Sequence, residues 1–412
     1  MQEGSEKVSV GFPIDDGSYE TWMQSIHSHP VLGREYLRAQ QMHELIVREG
    51  DKMLEDVRFG RFRRRIYEPS DLSVQQLDET FRDKAAYLRM REKLLLLEYA
   101  GPVFDRFEQE SRIEWTSNPI RLIEAAFAAN GSDRLSRQRR IRGLTNYMVT
   151  SMLLDMGPDV SSAKIDDGFV LMLDTFIGQF FHKNKSEDFN WAAALDPDQS
   201  LLAQEVRYAV NEPPDLSGVP SGLVIRSRTT TSRFVDARDG RLIPVILMTG
   251  LKDDFDMIVK VIRKGTRPEV EKDMRRFTLI IPRPEDFRQV ESRFKSVVSK
   301  PPFSIRGDVE NISGKSGSAR TNSATSDHYR AVRYILDYAD PKSGKTVPIE
   351  VNLQLLQDFA NTIFSDTDVR HSWYRFTQLY PSYLPFVRPR FIFGVDFREG
   401  SVDHSKMLAA LR

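Results

Sequence analysis

Two acidic residues stand at or within predicted strands, and they are the side chains of this 412-residue chain best suited to metal chemistry. Asp273 leads the apolar run 277–281, and Glu350 lies inside the segment 346–354. If the two strands are neighbours, both carboxylates can hold a hard divalent cation such as Mg²⁺, with substrate phosphates as its other ligands. The alternative interpretation is that both are exposed charges on a sheet with one solvated face.

Alternation along 346–354 separates the apolar from the polar residues of that strand. Apolar residues occupy every second position from Val347, so Glu350, Asn352 and Gln354 share the opposite face. One face of the strand is therefore expected to meet a core, and the other is expected to carry polar groups.

Basic residues precede Asp273 in a segment predicted to form a helix that ends at Gly265. Positive side chains beside a metal-binding acid suit a triphosphate. An ordinary solvated helix with alternating charges explains the same pattern. The candidate substrate-binding cations are Lys252, Lys260, Arg263 and Lys264.

The predicted strand 328–339 adds an aromatic ring and further positive charge. Tyr329 offers a face for stacking a base, and Arg330 and Arg333 are two more cations. Ordinary strand propensities explain these residues equally well. His371 lies in the helical segment that follows the strand 346–354. A capped surface histidine and a functional histidine are equally consistent with this position.

Composition narrows the classes of function. Lys plus Arg and Asp plus Glu both number 59, so the net charge is zero and general nucleic-acid binding is not expected. The chain has no cysteine, which excludes thiolate sites and fits a reducing compartment. No uncharged apolar run approaches the ~20 residues that cross a bilayer, and the polar N-terminal residues are unlike a signal peptide. A cytoplasmic protein without a membrane partner is therefore expected.

The order of elements predicts an α+β protein, with an N-terminal helical domain followed by a small mixed-sheet domain. Apolar residues at three- and four-residue steps predict helices from 31 to 210. Three Pro and two Gly in 211–222 forbid regular structure and predict a linker. The predicted ranges are a flexible tail 1–30, a helical domain 31–210, a linker 211–222, a mixed-sheet domain 223–400 and a C-terminal helix 401–412.

Local signals predict several individual elements. Asp239-Gly240 between two apolar runs is typical of a hairpin turn. Amphipathic spacing predicts a helix over 284–298, and the apolar run 168–181 predicts a buried helix.

Taken in order along 245–380, these features resemble the synthetase domain of the RelA/SpoT family of alarmone synthetases. The resemblance consists of the basic helix ending at Gly265, the acid leading a strand in "DMRRFTLII", the stretch "HYRAVRYIL", Glu350 inside "IEVN", and "RHSWYRF" in a closing helix. The chain departs from the family at several positions: Thr278 and Gln354 replace arginines, His328 replaces a glycine, Arg333 replaces a histidine, and Asn352 replaces a glutamine. It also lacks the adjacent His-Asp pair of the family's hydrolase domain.

The resemblance implies a nucleotidyltransferase-like fold for 223–400. It implies an enzyme that transfers pyrophosphate from ATP to the 3′-hydroxyl of a purine nucleotide, with Mg²⁺ held by the catalytic residues Asp273 and Glu350. The cations above would neutralise the triphosphate, Tyr329 would stack the acceptor base, and Asn352 and His371 would complete the substrate site.

Two alternatives to this activity remain open. One is a catalytically lapsed relative that binds nucleotide or a protein as a regulator. The other is a helical interaction protein whose C-terminal half is unrelated to nucleotides. In each case the helical half is a candidate surface for a protein partner.

Overall fold

The computed structural model describes residues 18–49, 59–66, 72–100, 117–128, 133–155, 167–182, 185–251, 253–265, 275–307, 309–313, 330–341, 344, 346–365, 383–387 and 389. The helices are α1 (Tyr19–Ser28), α2 (Leu32–Glu49), α3 (Phe59–Ile66), α4 (Val74–Ala100), α5 (Pro119–Phe127), α6 (Arg134–Asp155), α7 (Asp167–Phe180), α8 (Asp254–Lys264), α9 (Pro284–Val298), α10 (Leu356–Phe364) and α11 (Tyr383–Val387). The strands are β1 (Ser186–Asp196), β2 (Leu202–Val210), β3 (Val224–Asp236), β4 (Leu242–Leu251), β5 (Arg275–Ile281), β6 (Phe303–Ile305), β7 (Glu310–Ser313), β8 (Arg330–Ala339) and β9 (Thr346–Leu355).

Two compact units make up the chain. The first, the helical unit, comprises 1–162, 253–271 and 378–412, and the second, the sheet unit, comprises 163–252 and 272–377. These units cut across the predicted ranges, because α8 and α11 group with the N-terminal helices and 163–210 groups with the sheet. No helix among the described residues is long and apolar enough to cross a membrane.

Within the helical unit, α8 begins and ends as its sequence predicts. Asp253 caps its N-terminus by accepting hydrogen bonds from the backbone N–H groups of Phe255 (2.7 Å) and Asp256 (3.2 Å). Gly265 ends it at φ +64°, where a residue without a Cβ avoids steric cost.

Buried polar contacts hold α8 against its neighbours in the helical unit. Lys84 of α4 reaches Asp254 at 2.9 Å, and each residue is 2% exposed. At the other end of α8, His29 Nε2 lies 2.7 Å from the carbonyl oxygen of Ile262. Because His29 Nδ1 accepts from the backbone N–H of Leu32, the ring is neutral and donates to Ile262 through Nε2–H.

The sheet unit contains one mixed sheet in the order β2-β1-β3-β4-β5-β9-β8-β6, with β7 also paired to β8. Among the described strands, β5 and β9 pair in parallel and the other pairs are antiparallel. The α+β class with N-terminal helices is confirmed, and the sheet of nine strands is larger than the small sheet predicted.

The helical prediction for 31–210 is wrong over its last part. Residues 186–196 and 202–210 form β1 and β2. β1 lies between β2 and β3, and Ala192, Ala193, Ala194 and Leu195 are all buried. A strand buried on both faces shows no polar alternation, so its apolar run looks like part of a buried helix.

The predicted linker 211–222 is an irregular loop inside the sheet unit. It connects β2 to β3, and both strands pair with β1. Its backbone contacts the sheet, because Arg207 of β2 donates to the carbonyl of Asp215 at 3.0 Å and Asn190 of β1 donates to that of Glu212 at 3.0 Å. The prediction of irregular structure is confirmed, but the loop does not separate the two units.

Opposite faces of the sheet meet different helices. On one face, Phe277, Leu279, Val351 and Leu353 pack in a core with phenylalanines of α7 and α9, and this cluster contains Phe169, Phe176, Phe180 and Phe294. On the other face, residues of β1, β4 and β5 pack against Leu356 and Ala360 of α10. The predicted buried helix is α7, and the predicted helix 284–298 is α9 with the same bounds.

The β3–β4 hairpin also forms as predicted. Gly240 follows Asp239 in the turn and has φ +80°, a conformation that glycine adopts without strain. The Asp239 carboxylate accepts from the backbone N–H of Arg241 at 3.1 Å.

Side chains of α10 cover part of the edge of β2. The N–H of Ala203 donates to Asn361 Oδ1 at 2.7 Å, and Gln357 Nε2 donates to the carbonyl of Ala203 at 2.9 Å. Unpaired backbone groups at a sheet edge invite association with other chains, so these two amides protect this edge.

Candidate functional site

The two strands from which metal-binding acids were predicted are neighbours in the sheet. β5 and β9 pair in parallel, with Arg276 opposite Glu350 and Thr278 opposite Asn352. β8 flanks β9 on its other side, with Arg333 opposite Asn352. Asp273 itself lies outside the described residues, two positions before the first residue of β5.

The side chains on the face of β5, β8 and β9 away from α7 and α9 form a polar patch. Alternation dictates this, because Phe277, Val351 and Tyr334 belong to the core on the other face. The polar patch consists of Arg276, Thr278, Arg333, Glu350, Asn352 and Gln354. The predicted polar face of β9 is therefore present.

Glu350 is engaged by two members of the patch. Asn352 Nδ2 donates to Glu350 Oε1 at 3.1 Å. Arg333 Nε lies 3.8 Å from Glu350 Oε2, and the side chains of Arg333 and Glu350 are 32% and 14% exposed. The carboxylate and the guanidinium attract each other, so this contact helps to hold both side chains in the patch.

Arg276 provides a second guanidinium at the same level of the sheet. It is exposed and lies over Gly250 of β4, where its Nε is 3.5 Å from the position that a Cβ would take. That distance is an ordinary van der Waals contact, so the Arg276 side chain passes close to the backbone of β4. Arg276, opposite Glu350 on β5, and Arg333, diagonally adjacent to it on β8, put positive charge on both sides of one carboxylate.

Two amide atoms of the patch are buried without a partner. Asn352 and Gln354 are 6% and 4% exposed. Among the described residues, none forms a hydrogen bond to Asn352 Oδ1 or to Gln354 Nε2. Such atoms cost stability unless something pairs with them.

A carboxyl on α10 has an unusual affinity for protons. Burial raises the pKa of Asp358 to about 6, and the positive charge of Arg330 partly opposes this rise. Arg330 begins β8 and is exposed. A carboxyl that titrates near neutral pH is a recurrent feature of functional sites, although structural groups show it too.

Three of the predicted substrate-binding cations belong to the helical unit. Lys260, Arg263 and Lys264 are on α8 in the helical unit, whereas Glu350 is in the sheet unit. Lys260 is 6% exposed, so its side chain is largely buried within the helical unit. A lysine in the second turn of a helix that is packed on several sides is buried with its neighbours. The predicted residues outside the described part of the chain are Lys252, Asp273, Tyr329 and His371.

Sequence reasoning missed two members of the patch and the raised pKa of Asp358. Arg276 and Asp358 were given no role, and Gln354 was noted for its face but not as part of a site. The alternation that places Asn352 on the polar face also places Gln354 there, so that signal was present. The place of Arg276 depends on the register between β5 and β9, which the sequence alone does not show.

The patch fits Mg²⁺ when phosphates complete the coordination. Within the described residues, no group of three or more His, Cys, Asp or Glu side chains is arranged to hold a metal ion. Mg²⁺ is commonly bound by one or two carboxylates together with substrate phosphates and waters, and Glu350 is such a carboxylate. The flanking arginines would repel a bare cation, so Glu350 would hold the metal only together with phosphates.

The chain was compared with protein families, curated proteins and solved structures. No protein-family model matches the chain, and no curated protein matches it. Part of the chain is similar to the crystal structure of small alarmone synthetase 1 from Bacillus subtilis bound to its product pppGpp, with 17% sequence identity and a TM-score of 0.23. The alignment covers 29% of this chain and 58% of that one.

Proposed function

We propose that the protein is a nucleotide pyrophosphokinase that transfers pyrophosphate from ATP to the 3′-hydroxyl of a purine nucleotide. The observation that carries this proposal is the placement of Glu350 between Arg276 and Arg333 on adjacent strands. A carboxylate flanked by cations suits a metal–polyphosphate complex, since arginines can meet phosphate oxygens and the acid can meet the metal.

In this proposal the chain's own residues mainly bind and orient the substrates. Arg276 and Arg333 neutralise phosphate oxygens, and Glu350 and Asp273 would hold Mg²⁺. When bound, Mg²⁺ would supply positive charge that stabilises the negative charge developing during transfer. Within the sheet unit, the sequence resemblance extends the proposed substrate site to Lys252, Tyr329, Arg330, Asn352 and His371.

The proposed step is an in-line displacement at phosphorus. The 3′-oxygen of the acceptor bonds to the β-phosphorus of ATP, the bond from that phosphorus to the bridging α–β oxygen breaks, and AMP leaves with the electron pair. The hydroxyl proton passes to a base or to water. Such transfer depends mainly on positioning and charge stabilisation, so a short list of binding residues suffices.

The test is transfer of label from γ-³²P-ATP to a panel of purine nucleotides in the presence of Mg²⁺, separated by chromatography. The wild type is expected to form a labelled 3′-pyrophosphorylated nucleotide, and Glu350→Gln is expected to lower the rate at least 100-fold. Glu205→Gln on β2 is the matched control, because Glu205 is a carboxylate 43% exposed and already paired with Arg207.

Two results would count against the proposal. The absence of a labelled product with every acceptor in the panel would refute transferase activity. A Glu350→Gln variant as active as Glu205→Gln would refute the role of Glu350.

A second candidate function is nucleotide binding without catalysis. It is favoured by the contacts of Glu350, because Asn352 donates to one oxygen of the carboxylate and Arg333 Nε lies 3.8 Å from the other. Thr278 on β5, where the resembling family has arginine, favours it as well. Stabilisation of the protein by nucleotides without any turnover would identify this function, since a ligand that binds the folded state raises its stability.

A further inference from the structure

The polar patch contains a pair of amide groups that the phosphate chemistry does not use. Asn352 Oδ1 can accept a hydrogen bond and Gln354 Nε2 can donate one, yet both lack a partner among the described residues. The orientation of Asn352 is fixed, because its Nδ2 donates to the carboxylate of Glu350, which only accepts. Its unpaired atom is therefore the acceptor.

These amides are too buried for bulk water to satisfy them. The residues are 6% and 4% exposed, and buried polar atoms in native proteins are nearly always paired. A donor and an acceptor left open on one face of one strand indicate a ligand that offers both an acceptor and a donor.

The two ends of the polar patch differ in charge. Arg276 and Arg333 lie around Glu350, whereas Gln354 lies opposite Ile280, which is fully buried. Glu350 and Gln354 are four residues apart, or about 13 Å along an extended strand. One end thus suits an anionic group, and the other suits an uncharged group with polar edges and an apolar face.

We propose that Asn352 and Gln354 bind the base of a purine nucleotide whose phosphates lie toward Glu350 and Arg333. The inference rests on the proposed nucleotide-binding function and adds the residues that recognise the base. Amide side chains suit this role because they donate to and accept from the edge of a base at the same time. The site then discriminates bases through neutral hydrogen bonds, and charge contributes to affinity at the phosphate end.

The test compares ligands with and without a base. Calorimetric titration of the whole protein with ATP, GTP and inorganic tripolyphosphate, each with Mg²⁺, gives the affinities of the wild type and of Gln354→Met. Methionine keeps the length of the side chain and removes the amide. Binding of at least one of the two nucleotides is expected to weaken at least tenfold, while tripolyphosphate binding changes less than twofold. Gln204→Met, on the exposed side of β2, is the control and should change neither.

Stability of the ligand-free protein gives a second measurement. If Gln354 Nε2 is kept for a ligand, Gln354→Met leaves the melting temperature unchanged or raises it, because an unpaired buried donor is lost. A lower melting temperature with unchanged nucleotide selectivity identifies a purely structural side chain and overturns the inference.

The outcomes separate this inference from the proposed reaction. Equal weakening of nucleotide and tripolyphosphate binding, or no weakening of either nucleotide, overturns base recognition even if the enzyme is active. Failure of the wild type to bind ATP and GTP overturns it as well. Nucleotide-specific weakening in a protein that makes no product supports base recognition and refutes the transferase activity alone.

Discussion

Removal of one partner of the buried ion pair between Lys84 and Asp254 is expected to destabilise the helical unit strongly. Its atoms are 2.9 Å apart, and the side chains are 2% and 1% exposed. Lys84→Met keeps most of the volume of the side chain and removes the charge. Asp254 would then be a buried carboxylate without its counter-ion, since its other oxygen, Oδ1, already lacks a partner among the described residues.

The expected loss follows from this burial. Removing one partner of a buried ion pair costs about 3–5 kcal/mol, because the remaining charge is left in a medium of low dielectric constant. For a unit of this size, each 1 kcal/mol lowers the melting temperature by about 2–4 °C. Lys84→Met should therefore lower the melting temperature of the helical unit by about 6–20 °C at pH 7.

The loss should shrink as the pH falls. Burial raises the pKa of Asp254, and the positive charge of Lys84 opposes that rise. In the variant the opposing charge is gone, so the pKa of Asp254 rises further and the folded state takes up a proton at higher pH. Because the folded state then binds more protons than the unfolded state, acid stabilises the variant relative to the wild type. Calorimetric scans at pH 7 and pH 5 measure the difference.

Two variants serve as controls for this prediction. Lys84→Met combined with Asp254→Leu removes both charges and should recover much of the lost stability. Arg65→Gln breaks the exposed pair with Glu49 and should cost less than about 1 kcal/mol. The reasoning is refuted if Lys84→Met behaves like Arg65→Gln, or if its loss grows at pH 5.

Three further predictions concern titration and the edge of the sheet. Burial lowers the pKa of His29, so the melting temperature of the wild type should fall as the pH drops below about 6.5. His29→Asn should show a weaker dependence of melting temperature on pH, and an equal slope in both proteins would contradict this. Burial raises the pKa of Asp358 to about 6, above its unfolded value of 3.8. The wild type should therefore gain stability relative to Asp358→Asn as the pH falls from 7 to 4, and a loss of relative stability would contradict this prediction. Asn361→Ala should cost about 1 kcal/mol and increase self-association in light scattering, since the N–H of Ala203 is uncovered; unchanged stability and scattering would contradict it.

Elements with strong local signals were predictable from the sequence. Gly265 ends α8, Gly240 lies in the β3–β4 turn, and α9 has the predicted bounds, because caps, turn residues and amphipathic spacing act over a few residues. β1 and β2 were missed because their burial comes from neighbours far away in sequence. The loop 211–222 shows the same limit, since its composition predicts irregular structure but does not tell a linker from a loop between strands.

For the candidate site, the sequence predicted which residues of β9 share a face, but not which residues of neighbouring strands lie beside them. Alternation along β9 places Glu350, Asn352 and Gln354 on a common face, and that requires no knowledge of the fold. The partners across the sheet, Arg276 and Arg333, depend on register, which tertiary packing sets. The burial of Lys260 likewise depends on the helices that surround α8, and its own helix gives no sign of it.

The catalytic and the binding functions share one central claim, which is that the polar patch holds the phosphates of a nucleotide. The most direct test is to measure how tightly the wild type and Arg333→Gln bind ATP in the presence of Mg²⁺. Arg333→Gln is expected to weaken binding at least tenfold, while Arg226→Gln, an exposed arginine on β3, leaves it within twofold. Equal affinities of Arg333→Gln and the wild type, or no binding of ATP by the wild type, would contradict the account.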